Sequence, residues 1–154
     1  MKKSNTIILL LGSNIEPDIN IKKALDTLNQ VVKIRNQSNI WITEAVGSQG
    51  PNFFNMAVEI ETPLNHSQVK NKIINPIETE LKRVRTSDKY APRTIDIDMI
   101  FFNQELIDPN LWDKLFIALP VSEIDPNIKN EKSGETIRTI VKRLKRSAYA
   151  ERFN

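Results

Sequence analysis

At 154 residues, with 22 basic and 19 acidic side chains, one histidine and no cysteine, the chain has the size of one domain. A domain of this length buries roughly two thirds of its unfolded surface without a staple. The missing cysteines exclude a disulfide framework and a thiolate metal site and fit a reducing, cytoplasmic setting. A net charge of +3 is too small for a polycation, so only clustering is informative, and the basic residues gather in KRVRTSDKYAPR (82–93) and IRTIVKRLKR (137–146).

The opening MKKSNTIILLLGSN sets two lysines before an apolar run, as a signal peptide would. The run TIILLL is too short and has no small-residue cleavage site, so it reads as a buried strand ending at Gly12. No segment approaches the roughly 18 apolar residues of a membrane helix. Asp18 can cap a helix whose apolar positions are Ile21, Ala24, Leu25, Leu28, Val31 and Val32. From Lys33 to Thr43, and from Phe53 to Thr62, the pattern turns toward period two, with Met56, Val58 and Ile60 on one side and Ala57, Glu59 and Glu61 on the other. Gly47, Gly50 and Pro51 mark the loop between them. Helical spacing returns over 66–84 through Val69, Ile73, Ile74, Ile77, Leu81 and Val84, with a kink expected at Pro76. Residues 94–102 read as a strand.

This order, β-α-β-β-α-β, predicts an α+β, ferredoxin-like core: an antiparallel sheet with helices on one face. A C-terminal extension, broken up by Pro109, Pro120 and Pro126, ends in a helix over about 135–147 that turns Ile137, Ile140, Val141 and Leu144 inward. Neither a repeat nor a linker divides the chain, so residues 1–154 are read as a single domain.

The stretch KYAPRTIDIDMIFF (89–102) places Asp96 and Asp98 in a β-branched run where aspartate is disfavoured. On a strand they share a face about 7 Å apart while Ile95, Ile97 and Met99 face the other way. Two carboxylates so placed suit magnesium, which takes one or two of them and completes its shell with waters and substrate phosphates. Arg83, Arg85, Lys89 and Arg93 lie just upstream, and a guanidinium cluster beside such a pair is what a polyphosphate needs. The bland alternatives are a solvent-facing strand with two acids and a solvated basic helix end. A basic patch with Tyr90 could also meet nucleic acid, although no recognised RNA- or DNA-binding signature is present.

Gly12-Ser13-Asn14 can form a tight turn that aims polar groups at a site, but it is not a P-loop. The lone His66, at a helix start, reads as a surface or capping residue and argues against a Ser-His-Asp triad. Of Phe53 and Phe54, one should be core by alternation and the other could stack a flat heterocycle beside Asn55.

These pieces occur together in one family. In LLLGSN, TEAVGSQGPNFFNMAV, IETELKRVR and above all KYAPRTIDIDMIFF, residues 6–106 resemble 6-hydroxymethyl-7,8-dihydropterin pyrophosphokinases, which transfer a pyrophosphoryl group from ATP to a pterin hydroxymethyl in folate biosynthesis. The resemblance implies that Asp96 and Asp98 bind two magnesium ions and, with Arg83 and Arg93, form the catalytic set. Glu78, Arg83, Arg85, Arg93 and Lys114 would serve the nucleotide. Thr43, Val46 and Asn55 would supply polar contacts to the pterin, Phe53 and Phe116 would sandwich it, and Tyr90 stands where the family has a tryptophan, on a loop around 84–91 that would close over ATP. Downstream, LIDPNLWDKLFIALPVSEIDP is shorter than the family pattern and has no histidine: Asp108-Pro109 stands near the expected His-Pro, and Lys114 near an expected arginine. Lysine keeps the charge but loses the bidentate fork. Small-molecule substrates, no nucleic-acid or membrane partner and a monomeric state are expected. The alternatives are a noncatalytic pterin- or nucleotide-binding relative and, from another class, a small RNA-binding module.

Overall fold

The structure, a computed structural model, describes residues 3–45, 50–82 and 94–154. Its sheet has seven strands: β1 (Asn5–Ser13), β2 (Lys33–Gln37), β3 (Trp41–Thr43), β4 (Phe53–Thr62), β5 (Asp96–Phe102), β6 (Glu105–Leu106) and β7 (Ala150–Arg152). They run in the order β6-β5-β1-β4-β3-β7, with β2 also on β4, and every pairing is antiparallel. The ferredoxin-like core expected from the element order is present.

Why β1 is an unbroken apolar run follows from its central place. Ile7, Leu9 and Leu11 face one core and Ile8 and Leu10 the other, so neither side of the strand meets water. Against the first face pack α1 (Pro17–Val31) and the helical stretch formed by α2 (His66–Val69), a π-helical segment Lys70–Ile74 and α3 (Asn75–Glu80). The second face is covered by α4 (Leu115–Ile124) and α5 (Ile137–Leu144), so the C-terminal extension supplies a whole second layer.

Several details differ from the sequence expectation for identifiable reasons. The predicted strand 33–43 is split: β2 pairs with Val58–Glu61 and β3 with Phe53–Asn55 along the same edge of β4. At the break, Ser38 donates its N–H to the Ala57 carbonyl (2.9 Å), and its hydroxyl accepts from the Ala57 N–H (2.9 Å). Proline 76 does not simply kink its helix. The turn before it widens to π geometry, with the Asn75 N–H bonding to the Lys70 carbonyl, which makes room for a ring that would otherwise crowd the preceding turn. Pro120 does not break α4 but lies inside it, in a segment buried almost all round, where packing outweighs one lost helical hydrogen bond. Asp18 lies in the first turn of α1, whose N-cap is Glu16, and Val31 is 60% exposed instead of joining the core. After α5 the chain adds β7, three residues against β3 that no periodicity announces. No helix among the described residues is long and apolar enough to cross a membrane.

Candidate active site

Strand register builds the first half of the site. Gly12 on β1 stands opposite both Asn55 on β4 and Asp96 on β5, while Leu10 stands opposite Ala57 and Asp98. Thr43 on β3 pairs with Phe53. Because side chains alternate, Thr43, Phe53, Asn55, Asp96 and Asp98 all lie on one sheet face, the one that α4 and α5 cover further along.

Thr43 and Asn55 are buried, and the Asn55 Nδ2 amide donates to the Thr43 hydroxyl at 2.8 Å. That bond fixes which way the amide points. Gly12 keeps the ground beside it clear: a Cβ there would come within 3.4 Å of Asn55 Oδ1 and 3.9 Å of the Phe53 ring. Phe53 is half-buried on this face, whereas Phe54 points to the other, packs against the first core and lies 4.8 Å from the Phe153 ring. The two rings thus alternate as expected, Phe54 toward the first core and Phe53 toward the face that carries Thr43 and Asn55. Phe116, in the first turn of α4, packs half-buried against the second core, and exposed Lys114 precedes that helix. Gly12-Ser13 does not form the tight turn expected but ends β1, so the glycine serves the site as open floor instead of as a turn.

The second half is a cleft of about 370 Å³ along the outer edge of β5. Asp96 and Asp98 line it together with Lys70 and Asn75 of the helical stretch and Ile107 and Asp108 of the segment after β6. Ile95, Ile97 and Met99 are buried in the opposite core, as the period-two reading requires. Behind the strand, buried Glu78 accepts the Ile97 N–H at 3.0 Å, so its carboxylate holds the backbone between the two aspartates. His66 is exposed and lines the cleft as well, and the helix it begins is capped by Asn65, whose side chain accepts the Gln68 N–H. Lys70, Asn75 and Ile107 escaped the sequence reading because only the apposition of helix and strand edge makes them neighbours of the aspartates.

The Asp98 side chain is exposed, although protein atoms crowd round its carboxyl group. Desolvation, and then the charge and hydrogen bond of Asp96 and the charges of Asp108 and Glu78, push it from the ordinary 3.8 up to about 7. Among the described residues no cluster of three or more His, Cys, Asp or Glu could hold a metal ion by itself. An all-oxygen pair that repels itself and lacks a full protein cage fits a magnesium ion that takes its remaining ligands from a phosphate substrate and water. Val46, Arg83, Arg85, Lys89, Tyr90 and Arg93 lie outside the described residues.

A family model described as 7,8-dihydro-6-hydroxymethylpterin-pyrophosphokinase (HPPK) matches residues 8–126, from β1 through α4. The chain belongs to the HPPK family. Its members transfer a pyrophosphoryl group to the hydroxymethyl of the dihydropterin in folate synthesis, the activity expected from the motifs. A 2-amino-4-hydroxy-6-hydroxymethyldihydropteridine pyrophosphokinase of Bacillus subtilis is 32% identical over 163 residues, covering 97% of this chain and 96% of that protein. The enzyme of the same name from Aquifex aeolicus is 33% identical over 134 residues, 80% of this chain and 82% of its own. Among solved structures, the wild-type HPPK-DHPS of Plasmodium falciparum with pteroate superposes with a TM-score of 0.71 over 93% of this chain at 15% identity. That likeness concerns fold alone, and this chain spans 43% of the Plasmodium chain.

Proposed function

We propose that this HPPK-family chain uses ATP as the donor, with magnesium held by Asp96 and Asp98, and that its two half-sites divide the substrates between them. The supporting observation is the register that sets Gly12 between Asn55 and Asp96: a neutral, hydrogen-bonding pocket and an acidic cleft meet across one strand.

The pocket takes the pterin. Asn55, oriented by Thr43, meets the ring's polar edge, Phe53 and Phe116 stack on its faces, and Val46 and Tyr90 complete the contacts. The cleft takes the triphosphate. Asp96 and Asp98 would hold the magnesium, two ions on this reading, which would supply positive charge to offset that of the phosphates. Arg83, Arg85, Arg93 and Lys114 neutralise the remaining oxygens, and Glu78 serves this half by holding β5 in place. The pterin hydroxyl attacks the β-phosphorus in line, a new O–P bond forms, the bridge to the α-phosphate breaks and AMP leaves. No covalent enzyme intermediate is needed, so catalysis rests on positioning and preorganised charge.

The chain is further read as a cytoplasmic monomer acting on small molecules; a sedimentation measurement giving a dimer would overturn the monomer. The activity is tested by AMP release from ATP and magnesium, with 6-hydroxymethyl-7,8-dihydropterin and without it. Pterin-dependent AMP is the expected result. A folded sample that binds pterin and releases none would instead be a noncatalytic relative.

A further inference from the structure

Among the described residues, the buried side-chain polar atom left without a hydrogen-bond partner is the Thr94 hydroxyl oxygen. Thr94 as a residue is half-buried, but this oxygen is closed off from solvent. Buried polar groups almost always find a partner, because an unpaired one keeps the full cost of its desolvation. Its position gives the orphan a meaning. Ile95, Ile97 and Met99 all join the first core, so the alternation of β5 already holds one residue before the strand begins. That alternation assigns position 94 to the opposite face, with Asp96 and Asp98.

A substrate does not reach an oxygen that solvent cannot touch, so the missing partner is a protein group that turns toward it. The next side chain on that face is Asp96, two residues on. In the structure its carboxylate is hydrogen-bonded to Asp98. A cation shared by the two aspartates would take the place of that bond, leaving Asp96 one oxygen for the ion and one for a donor. Alternate side chains of an extended chain stand about 7 Å apart at their Cα atoms, a gap that a threonine hydroxyl and an aspartate carboxylate span when both lean inward. Carboxylates that bind metals are as a rule held by such an outer hydrogen bond. We propose that the Thr94 hydroxyl donates to the Asp96 carboxylate in the magnesium-loaded site, which makes Thr94 a positioning residue for the metal. The assignment rests on the magnesium reading of Asp96 and Asp98 and adds to it the group that steadies one ligand. It also explains why the orphan is kept, since the hydroxyl gains its partner when the ion binds.

The test is equilibrium binding of manganese(II), a magnesium substitute whose free form is counted by electron paramagnetic resonance, to the wild-type chain, Thr94→Val and Thr94→Ser, with and without α,β-methylene-ATP. Thr94→Val keeps the shape and removes the hydroxyl. It should unfold without metal at the wild-type midpoint or slightly above, bind pterin as the wild type does, and bind the ion about tenfold more weakly. Thr94→Ser keeps the hydroxyl and should bind the ion as the wild type does. Equal ion affinity in Thr94→Val and the wild type would overturn the assignment. A loss in Thr94→Ser as large as in Thr94→Val would do the same, and so would a weakening in Thr94→Val that comes with a lowered metal-free midpoint and weaker pterin binding, the mark of a merely structural role. A folded wild-type chain that binds no manganese even with the analogue present would instead sink the magnesium reading, and the Thr94 contact with it.

Discussion

The two halves of the site meet at Gly12 but are built on opposite principles. In the pocket of Thr43, Phe53 and Asn55, buried polar atoms find partners inside the protein, and the shape is set before any ligand arrives. In the cleft of Asp96, Asp98 and Asp108, loss of solvent first and the neighbouring carboxylates second push one carboxyl up to about 7. The pocket is prepared by satisfaction and the cleft by frustration. The first favours selective recognition of a neutral ring. The second makes an ionised carboxylate costly, through lost solvent and then like charge, a cost that the proposed cation would relieve, a common exchange of stability for function.

The sharpest way to break this contrast is to remove an acid that a cation is proposed to need. Asp98→Ala should lower turnover on the order of 10²-fold or more, comparable to removing one preorganised electrostatic group, and leave the fold intact. Near-wild-type rates in a stopped assay of AMP release would refute the metal assignment.

A second test concerns stability alone. Because folding raises the Asp98 pKa, the folded state holds its proton more tightly than the unfolded chain does. The resulting stabilisation is complete below the ordinary 3.8 and is lost as pH rises through about 7. Thermal unfolding of the metal-free protein should therefore show Asp98→Asn gaining on the wild type from pH 4 to pH 8. Magnesium at pH 8 should raise the wild-type midpoint more than that of the variant. Parallel pH profiles for the two proteins would remove the raised Asp98 carboxyl from the account.

On the pocket side, effects should be smaller because no charge is involved. Phe53→Ala should weaken pterin binding by about 0.5–1.5 kcal/mol for the stacking itself, together with the area lost, and leave nucleotide affinity unchanged. Equal pterin affinity in a calorimetric titration would remove the sandwich. The mildest change is Thr94→Val, since the Thr94 hydroxyl is buried without a hydrogen-bond partner among the described residues just before β5. Replacing it by a methyl of the same shape should leave the unfolding midpoint unchanged or slightly raised. A clear loss of stability would mean that the hydroxyl has a partner after all.

What the sequence determined by itself was whatever depends on alternation and local motif. Period two put Asp96 and Asp98 on one face and Ile95, Ile97 and Met99 in the core, and it separated Phe53 from Phe54. The unbroken run of β1 announced a buried strand, and the spacing of Ile137, Ile140 and Val141 announced α5. Tertiary structure alone decided what depends on register and apposition. Gly12 became the junction of the two half-sites because β1 pairs with β4 on one side and β5 on the other, which no local pattern encodes. Lys70 and Asn75 joined the aspartates because a helix packs along the edge of β5, and β7 formed because three residues far along the chain found an open edge on β3. The raised Asp98 carboxyl needed both kinds of information: Asp96 is its neighbour by sequence, whereas Glu78, Asp108 and the surrounding walls are brought to it only by folding.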